Sequence, residues 1–415
     1  MTLALLALAL GGFTIGTTEF ATMGLLPQIG ADLGVSDPVA GHAITAYAVG
    51  VVVGAPLLTV AAARMSRRRL LLVLMGAYTL ANVLSALAPT IETLVAGRFL
   101  AGLPHGAFFG VGAAVGAAVA GPGRRGHAVS MMMTGLTVAN VVGVPLSTAV
   151  GQSLGWRVAF VVMGLLGAVT LLGVLRFVPE HGPVDSSVRN ELGTLRNGPL
   201  WISFAAGAVG FGGLFAVYTY VAPTVTKVSG MTQGAVPWVL AVFGVGMTVG
   251  TLLGGRLVDR DVLRTVIGGF VATAASLVVF ALVGTMPVPA VLALFALGVT
   301  SQVLGLAMQT RLMDLSPQAQ SLGAALCHSA LNIGNASGAF FGGLVIAAGY
   351  GYLAPAWVGL ALTLVGLAMV LAFGRQRAAA PAEAGGAEPP SGADGGDGSA
   401  APAASAQERA VPSRA

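Results

Sequence analysis

Apolar residues in this chain come in runs of about 20 or more, separated by short polar breaks, and the runs continue to Phe373. A helix rises about 1.5 Å per residue and a bilayer's hydrocarbon core is about 30 Å thick, so each run is long enough to cross it. The pattern predicts twelve spans, near 3–27, 40–62, 70–89, 92–119, 128–152, 157–178, 200–223, 235–257, 262–284, 288–311, 320–347 and 353–373. Barrel strands need only about ten alternating residues, and these runs are too long and too uniformly apolar for that. The longest polar interruption, PEHGPVDSSVRNELGTLRNG at 179–198, divides the spans six and six. After Phe373 the chain turns Ala/Pro/Gly-rich with almost no large apolar residues, which predicts disorder.

Spacing of particular residues supports the division. Gly16, Pro27 and Gly34 recur 196 positions later as Gly212, Pro223 and Gly230, and Gly54 and Arg64 recur as Gly250 and Arg260 (250−54, 260−64). Asn140 and Gly143 recur at 195 as Asn335 and Gly338. The expected architecture is an all-α integral membrane protein with twelve transmembrane helices in two pseudo-symmetric six-helix bundles. An N-terminal bundle covers 1–178, a cytoplasmic linker 179–198, a C-terminal bundle 199–374, and a disordered cytoplasmic tail 375–415. Parallel halves of this kind form a rocking transporter with its substrate site between them at mid-membrane.

Composition narrows the function classes. Hydrophobic residues make up 56% of the 415 and charged residues 8%, where a soluble domain carries about 25% charged. The net charge of +5 is not a nucleic-acid patch, because the basic residues sit in alternate loops without interleaved aromatics. Arg64, Arg67, Arg68 and Arg69 precede span three, Arg124 and Arg125 span five, and Arg256, Arg260 and Arg264 flank the loop after span eight. The opposite loops offer Arg157 and Lys227. The positive-inside rule then puts both termini and the central linker in the cytoplasm of a multi-pass cell-membrane protein. The N-terminal run lacks a basic leader and reads as the first span, not a cleaved signal. Cys327 is the single cysteine, so neither an intramolecular disulfide nor a cysteine metal cluster is expected. The five histidines have no metal-ligand spacing with acids, although His105 and His328 fall inside spans as candidate relays. No phosphate-binding Gly-Lys loop and no nucleophile set is visible, so neither an ATP-driven pump nor an enzyme is expected.

Glu19 is the only charged side chain between Thr2 and Leu26. Ionisable groups at membrane depth are costly and mark function by default, the alternative being a protonated or snorkelling structural acid. Arg98 lies at similar depth in span four, so a direct or water-mediated link to Glu19 is expected, with a ring of backbone carbonyls as the alternative partner.

The stretch GTTEFATMGLLPQIGADLGVS at 16–36 resembles the first-helix signature of the major facilitator superfamily branch that holds actinobacterial chloramphenicol-resistance exporters and arabinose efflux permeases. The resemblance runs over most of residues 1–375 and implies a drug:proton antiporter. It makes Glu19 and the Arg98 of GRFLAGLPHG the proton-coupling pair. It likens Gly255, Arg256, Asp259 and Arg260 to the superfamily's cytoplasmic gating motif, repeated as Gly54, Arg64, Arg67 and Arg68 with Ala63 where the acid would stand. Those first-half arginines serve topology alone on the other reading. GLTVANVVGVPLSTAVGQ at 135–152 resembles the antiporter motif, with Gly135, Ala139, Gly143 and Pro145 at its core. Small residues every fourth position also suit plain helix packing. Candidate cavity contacts are Met23, Asn140, Phe215, Tyr218, Asn332 and Asn335. The expected activity is export of small amphipathic drugs or metabolites by alternating access, with a sugar or small-metabolite permease, or a non-transport membrane protein, as the alternatives. Its expected partners are a small-molecule substrate, protons and the lipid bilayer. It would work as a monomer, with the proton gradient in place of any cofactor and with no metal or nucleic acid.

Overall fold

The computed structural model describes residues 2–61, 65–120, 125–180, 195–317 and 320–373. Arg64, His127's side chain, His181 and the 375–415 tail therefore lie outside the described residues, as does most of the 179–198 linker. The first half contains α1 (Thr2–Gly24), α2 (Leu26–Leu33), α3 (Asp37–Ala61), α4 (Arg67–Ala86), α5 (Ile91–Ala120), α6 (Arg125–Val138), a π-helical turn (Ala139–Gly143), α7 (Val144–Leu154) and α8 (Trp156–Phe177). The second contains α9 (Gly198–Gly210), α10 (Gly212–Tyr218), α11 (Val221–Lys227), α12 (Val236–Val258), α13 (Val262–Val283), α14 (Pro287–Asp314), α15 (Gln320–Ala347) and α16 (Ala354–Phe373). Among the described residues, eleven helical stretches are long and apolar enough to cross a bilayer. With the 25-residue α3 in its place between α1 and α4, the count is consistent with twelve crossings.

Spans one and seven differ from single helices. The chain breaks at Leu25 (φ −104°) before Pro27, and at Tyr220 (φ −107°) before Pro223. Proline lacks an N–H and disfavours helical backbone just before it, so the same break arises in both repeats. Each broken segment then ends on a left-handed glycine, Gly34 at φ 67° and Gly230 at φ 71°. Only glycine enters that region without a Cβ penalty.

The repeat also sets the helix crossings. A Cβ on Gly54 would lie 2.5 Å from the Leu103 Cα, and one on Gly250 would lie 2.9 Å from Gln302 Cβ and 3.1 Å from the Val299 carbonyl carbon. Leu103 and Val299 are themselves 196 apart (299−103). Gly50 abuts Phe99 as Gly246 abuts Phe295, again at that offset. Bare backbone at these points lets α3 lie on α5, and α12 on α14, closely enough to replace the driving force that water supplies to soluble cores. The halves meet through α3 against α15 and through the α6–α7 span against α12.

Candidate functional site

Between the halves lies a cavity of about 150 Å³. Glu19 and Phe20 of α1, His105 of α5 and Asn140 line it from the first half; Phe215, Gln302, Gln309, His328 and Asn332 line it from the second. Glu19 is five residues from the end of α1 and Gln309 five from the far end of α14. The cavity therefore runs from Glu19 toward the end of the molecule where Arg67–Arg69 and Arg260–Arg264 gather, called here the basic end.

Glu19 is 8% exposed and has no hydrogen-bond or ion-pair partner among the described residues. Arg98 is fully buried, and its partner is not the Glu19 carboxylate. Its Nη2 donates to the Thr18 carbonyl oxygen at 3.0 Å, and its guanidinium lies 4.3 Å from the Tyr47 ring centroid and 5.3 Å from that of Phe160. Aromatic faces and a carbonyl dipole thus take the place of a counter-ion. Nε and Nη1 have no hydrogen-bond partner among the described residues. The carbonyl it holds belongs to the residue before Glu19, so Arg98 braces the turn that carries the acid. Tyr78 adds to the brace: its hydroxyl donates to the Thr14 carbonyl at 3.0 Å and touches the Thr18 hydroxyl.

From Arg98 the contacts lead back to the cavity. The Tyr47 hydroxyl is hydrogen-bonded to His105 Nδ1 at 3.0 Å. The Phe109 ring lies 5.2 Å from His105 and stacks on His328 of α15 at 5.7 Å, so the ladder ends in the second half. The repeat equivalents of Glu19, Tyr47, Arg98 and His105 are Phe215, Phe243, Leu294 and Ser301, each 196 on (215−19, 243−47, 294−98, 301−105). Of these four positions, each is ionisable in the first half and none in the second, where His328 enters the cavity from a position outside this set.

The small residues of 135–145 pack on the helix that bears Glu19. A Cβ on Gly135 would press into the Ala9 carbonyl, Ala139 would meet a Cβ on Gly16 at 3.1 Å, and Gly143 sits against Phe13 and Thr17. Pro145 follows a π-helical turn in which the Val144 N–H bonds the Ala139 carbonyl, five residues back. The wider turn accommodates a helix whose ladder proline must interrupt. Gly244 of α12 approaches the Asn140 backbone so closely that a Cβ there would lie 2.7 Å from the Asn140 carbonyl carbon. This turn is therefore one of the places where the first half touches the second.

Of the expected cavity contacts, Asn140, Phe215 and Asn332 line it, together with Glu19 of the expected proton-coupling pair. Met23 is fully buried in helix packing, and Asn335 is buried elsewhere in α15. Tyr218 joins a cluster in which Phe20 lies parallel to Phe215 at 6.3 Å and Tyr218 stacks on Phe243 at 4.2 Å. Among the expected gating residues, Gly54 packs on Leu103, Arg68 bonds the Leu175 carbonyl and Arg67 begins α4. Gly255 lies one residue past the last packed position of α12, and a Cβ on it would meet nothing within 4 Å; Arg256, Asp259 and Arg260 are exposed, and neither Asp259 nor Arg260 has an ion-pair partner among the described residues. Gln302 and Gln309 were not anticipated, although Ser301, Gln302, Gly305 and Gln309 share one face of an otherwise apolar helix and could have marked it.

At the end opposite the basic one, polar contacts tie the halves together. Asp37 Oδ2 of α3 accepts from Lys227 Nζ and from the Tyr352 hydroxyl, each at 2.6 Å, and Lys227 Nζ lies 2.9 Å from that hydroxyl. Gln28 Nε2 donates to Gln233 Oε1 at 3.2 Å, and Gln152 Nε2 to the Gln233 carbonyl at 3.0 Å.

A family model described as "Major Facilitator Superfamily" matches residues 8–260 and 215–405. The chain is 38% identical over 370 residues to the inner membrane transport protein YdhP of Escherichia coli K12, covering 89% of this chain and 95% of that one. It is 31% identical over 379 residues to a chloramphenicol resistance protein of Streptomyces lividans, covering 90% and 96%. Among solved structures, a D-xylose–proton symporter aligns with TM-score 0.70 at 16% identity, over 90% of this chain and 97% of that one, which speaks to the fold alone.

Proposed function

The chain belongs to the major facilitator superfamily, a family of membrane transporters, and we propose that it is a proton-coupled exporter of small amphipathic drugs or metabolites working by alternating access. One observation carries this reading: a lone carboxylate, Glu19, in the wall of a cavity shared by both halves, without a partner to neutralise it. A group so sited is suited to exchange a proton as its access changes. The basic end faces the cytoplasm on this reading, and the Asp37 contacts close the external end. External protons load Glu19 when the halves part there, substrate leaves, and the acid discharges inward after closure. Arg98 holds the α1 turn that aims Glu19, in place of a direct ion pair. The relationship to a chloramphenicol resistance protein supports export.

A second reading, a permease for sugars or other small polar metabolites, is favoured by four carboxamides in the wall: Asn140, Gln302, Gln309 and Asn332. Acidified inside-out vesicles separate the two. Proton release on adding amphipathic drugs, lost in Glu19→Gln, is the expected result. Release with sugars alone supports the second reading, and release equal in both proteins removes Glu19 from the proton path.

A further inference from the structure

A groove of about 590 Å³ opens to the bilayer side of the second half, between α12, α13 and α14. Its mouth is at the basic end, where Arg260 and Arg264 line it together with Asp261. Arg264 to Ala272 spans two turns, so the groove descends about 12 Å into the apolar layer. Its floor there is bare: Gly268 is exposed, and a Cβ built on it would meet nothing within 4 Å. Leu257 and Val303 form the sides. A mid-helix glycine forfeits helix propensity without gaining a tight crossing here, which leaves room as its effect.

We propose that this groove holds one phospholipid with an anionic headgroup, its phosphate between Arg260 and Arg264 and one acyl chain laid over Gly268. The acid at the mouth does not cancel the basic pair. Asp261 accepts from the Arg264 backbone N–H at 2.9 Å and pairs with Arg264 Nε at 3.3 Å, so it is engaged with a single arginine. The Arg260 guanidinium has no partner among the described residues, and the terminal nitrogens of Arg264 remain for a phosphate. Two other bilayer-facing grooves lack this combination. The one beside Trp238 has only Gln152, Ser153 and Gln233 as polar lining, and the one beside Phe177 has Arg176 alone, 5.6 Å from the Phe177 ring. Apolar depth selects a lipid tail, and the paired arginines select the charge of its head.

Native mass spectrometry of the full chain from mixed micelles tests this, with phosphatidylglycerol and phosphatidylcholine of identical acyl chains as probes. One phosphatidylglycerol should be retained preferentially. Arg264→Gln should cut its retention about fivefold, the effect of one interfacial arginine. Gly268→Leu fills the floor and should release it while both arginines remain; Ala272→Leu does the same should the first variant fold poorly. Equal retention of the two lipids, undiminished retention in both filled variants, or displacement by soluble glycerol phosphate would each overturn the proposal.

Discussion

Replacing Asp37 by Asn should open the end of the molecule opposite the basic one. Asp37 is 7% exposed at the start of α3 and holds two groups of the other half, Lys227 on α11 and Tyr352 before α16. Removing one partner of a buried ion pair costs about 3–5 kcal/mol. Lys227 is half-exposed, however, so water can solvate the ammonium once it is released. A charge-assisted hydrogen bond contributes about 1.5–3 kcal/mol, and an asparagine oxygen retains part of it. About 2 kcal/mol of bias toward the closed arrangement is therefore lost, a shift of about thirtyfold. A molecule closed about 99 times in 100 would then be closed about three times in four.

Spin labels at Leu87 and Val288, exposed positions at this end of the two halves, report the separation by double electron–electron resonance. Asp37→Asn should add a longer distance population, and Lys227→Gln should add the same one. Their combination should add little more, because both remove a single interaction. Asp37→Glu should retain most of the short population. A distance distribution unchanged in Asp37→Asn would refute the clasp, since no other effect of that substitution would need the halves to stay together.

Other perturbations follow from the geometry. Gly50→Leu and its repeat equivalent Gly246→Leu each push into a facing backbone, at Phe99 and Phe295, so each should cost about 1–3 kcal/mol and lower the thermal midpoint in detergent; a midpoint held within about 1 °C would contradict the close crossing. Tyr47→Phe keeps the ring under Arg98 but removes the bond to His105, so it should cost about 1 kcal/mol and alter the pH profile of transport; an unaltered profile would take Tyr47 out of the proton path. Hydrogen bonds from Arg157 and Trp156 hold the Asp32 carboxyl below its usual range, so its stabilising contribution is complete above the ordinary carboxylate pKa and fades as pH falls through the lowered value. Both partners are substantially exposed, which limits the pair to about 1 kcal/mol, and the midpoint difference between wild type and Asp32→Asn should shrink from pH 6 to pH 3.

The spans were legible because length and apolarity are properties of consecutive residues. The repeat was legible because equivalent crossings need glycine at equivalent places. Less visible were the breaks at Leu25 and Tyr220, each two or three residues before a proline that the apolar run conceals. The π-helical turn at Ala139–Gly143 was signalled only by Pro145, which marks an interrupted ladder without saying how the turn before it widens; α1 and α12 pack on either side of it. At the site, Glu19 announced itself as a rare charge in an apolar run. Arg98's partner was legible only as the alternative of backbone carbonyls, and neither which carbonyl it holds nor the aromatic faces beside it carry a sequence signal. Tyr47 reaches His105 from 58 positions away, and Asp37 reaches Tyr352 from 315, so both links depend on how helices cross.

An even frame with uneven chemistry suits a rocking machine. The glycine crossings recur at one offset in both halves, so the two bundles share one packing frame, as the proposed alternating-access cycle needs. A glutamate at 215, the repeat equivalent of Glu19, would replace the ring that lies parallel to Phe20 with a second carboxylate in the same buried cavity wall, a costly place for an unpartnered charge. With phenylalanine at 215, Phe20 and Phe215 line the cavity beside Glu19 as an apolar pair, and Tyr218 and Phe243 extend the aromatic cluster between the halves. Parting the halves at Asp37 must also part Phe20 from Phe215, because the two rings belong to different halves. In the proposed alternating-access cycle, the aromatic contact and the Asp37 contact would be broken by one motion, and a proton would reach Glu19 from that end once the clasp had opened.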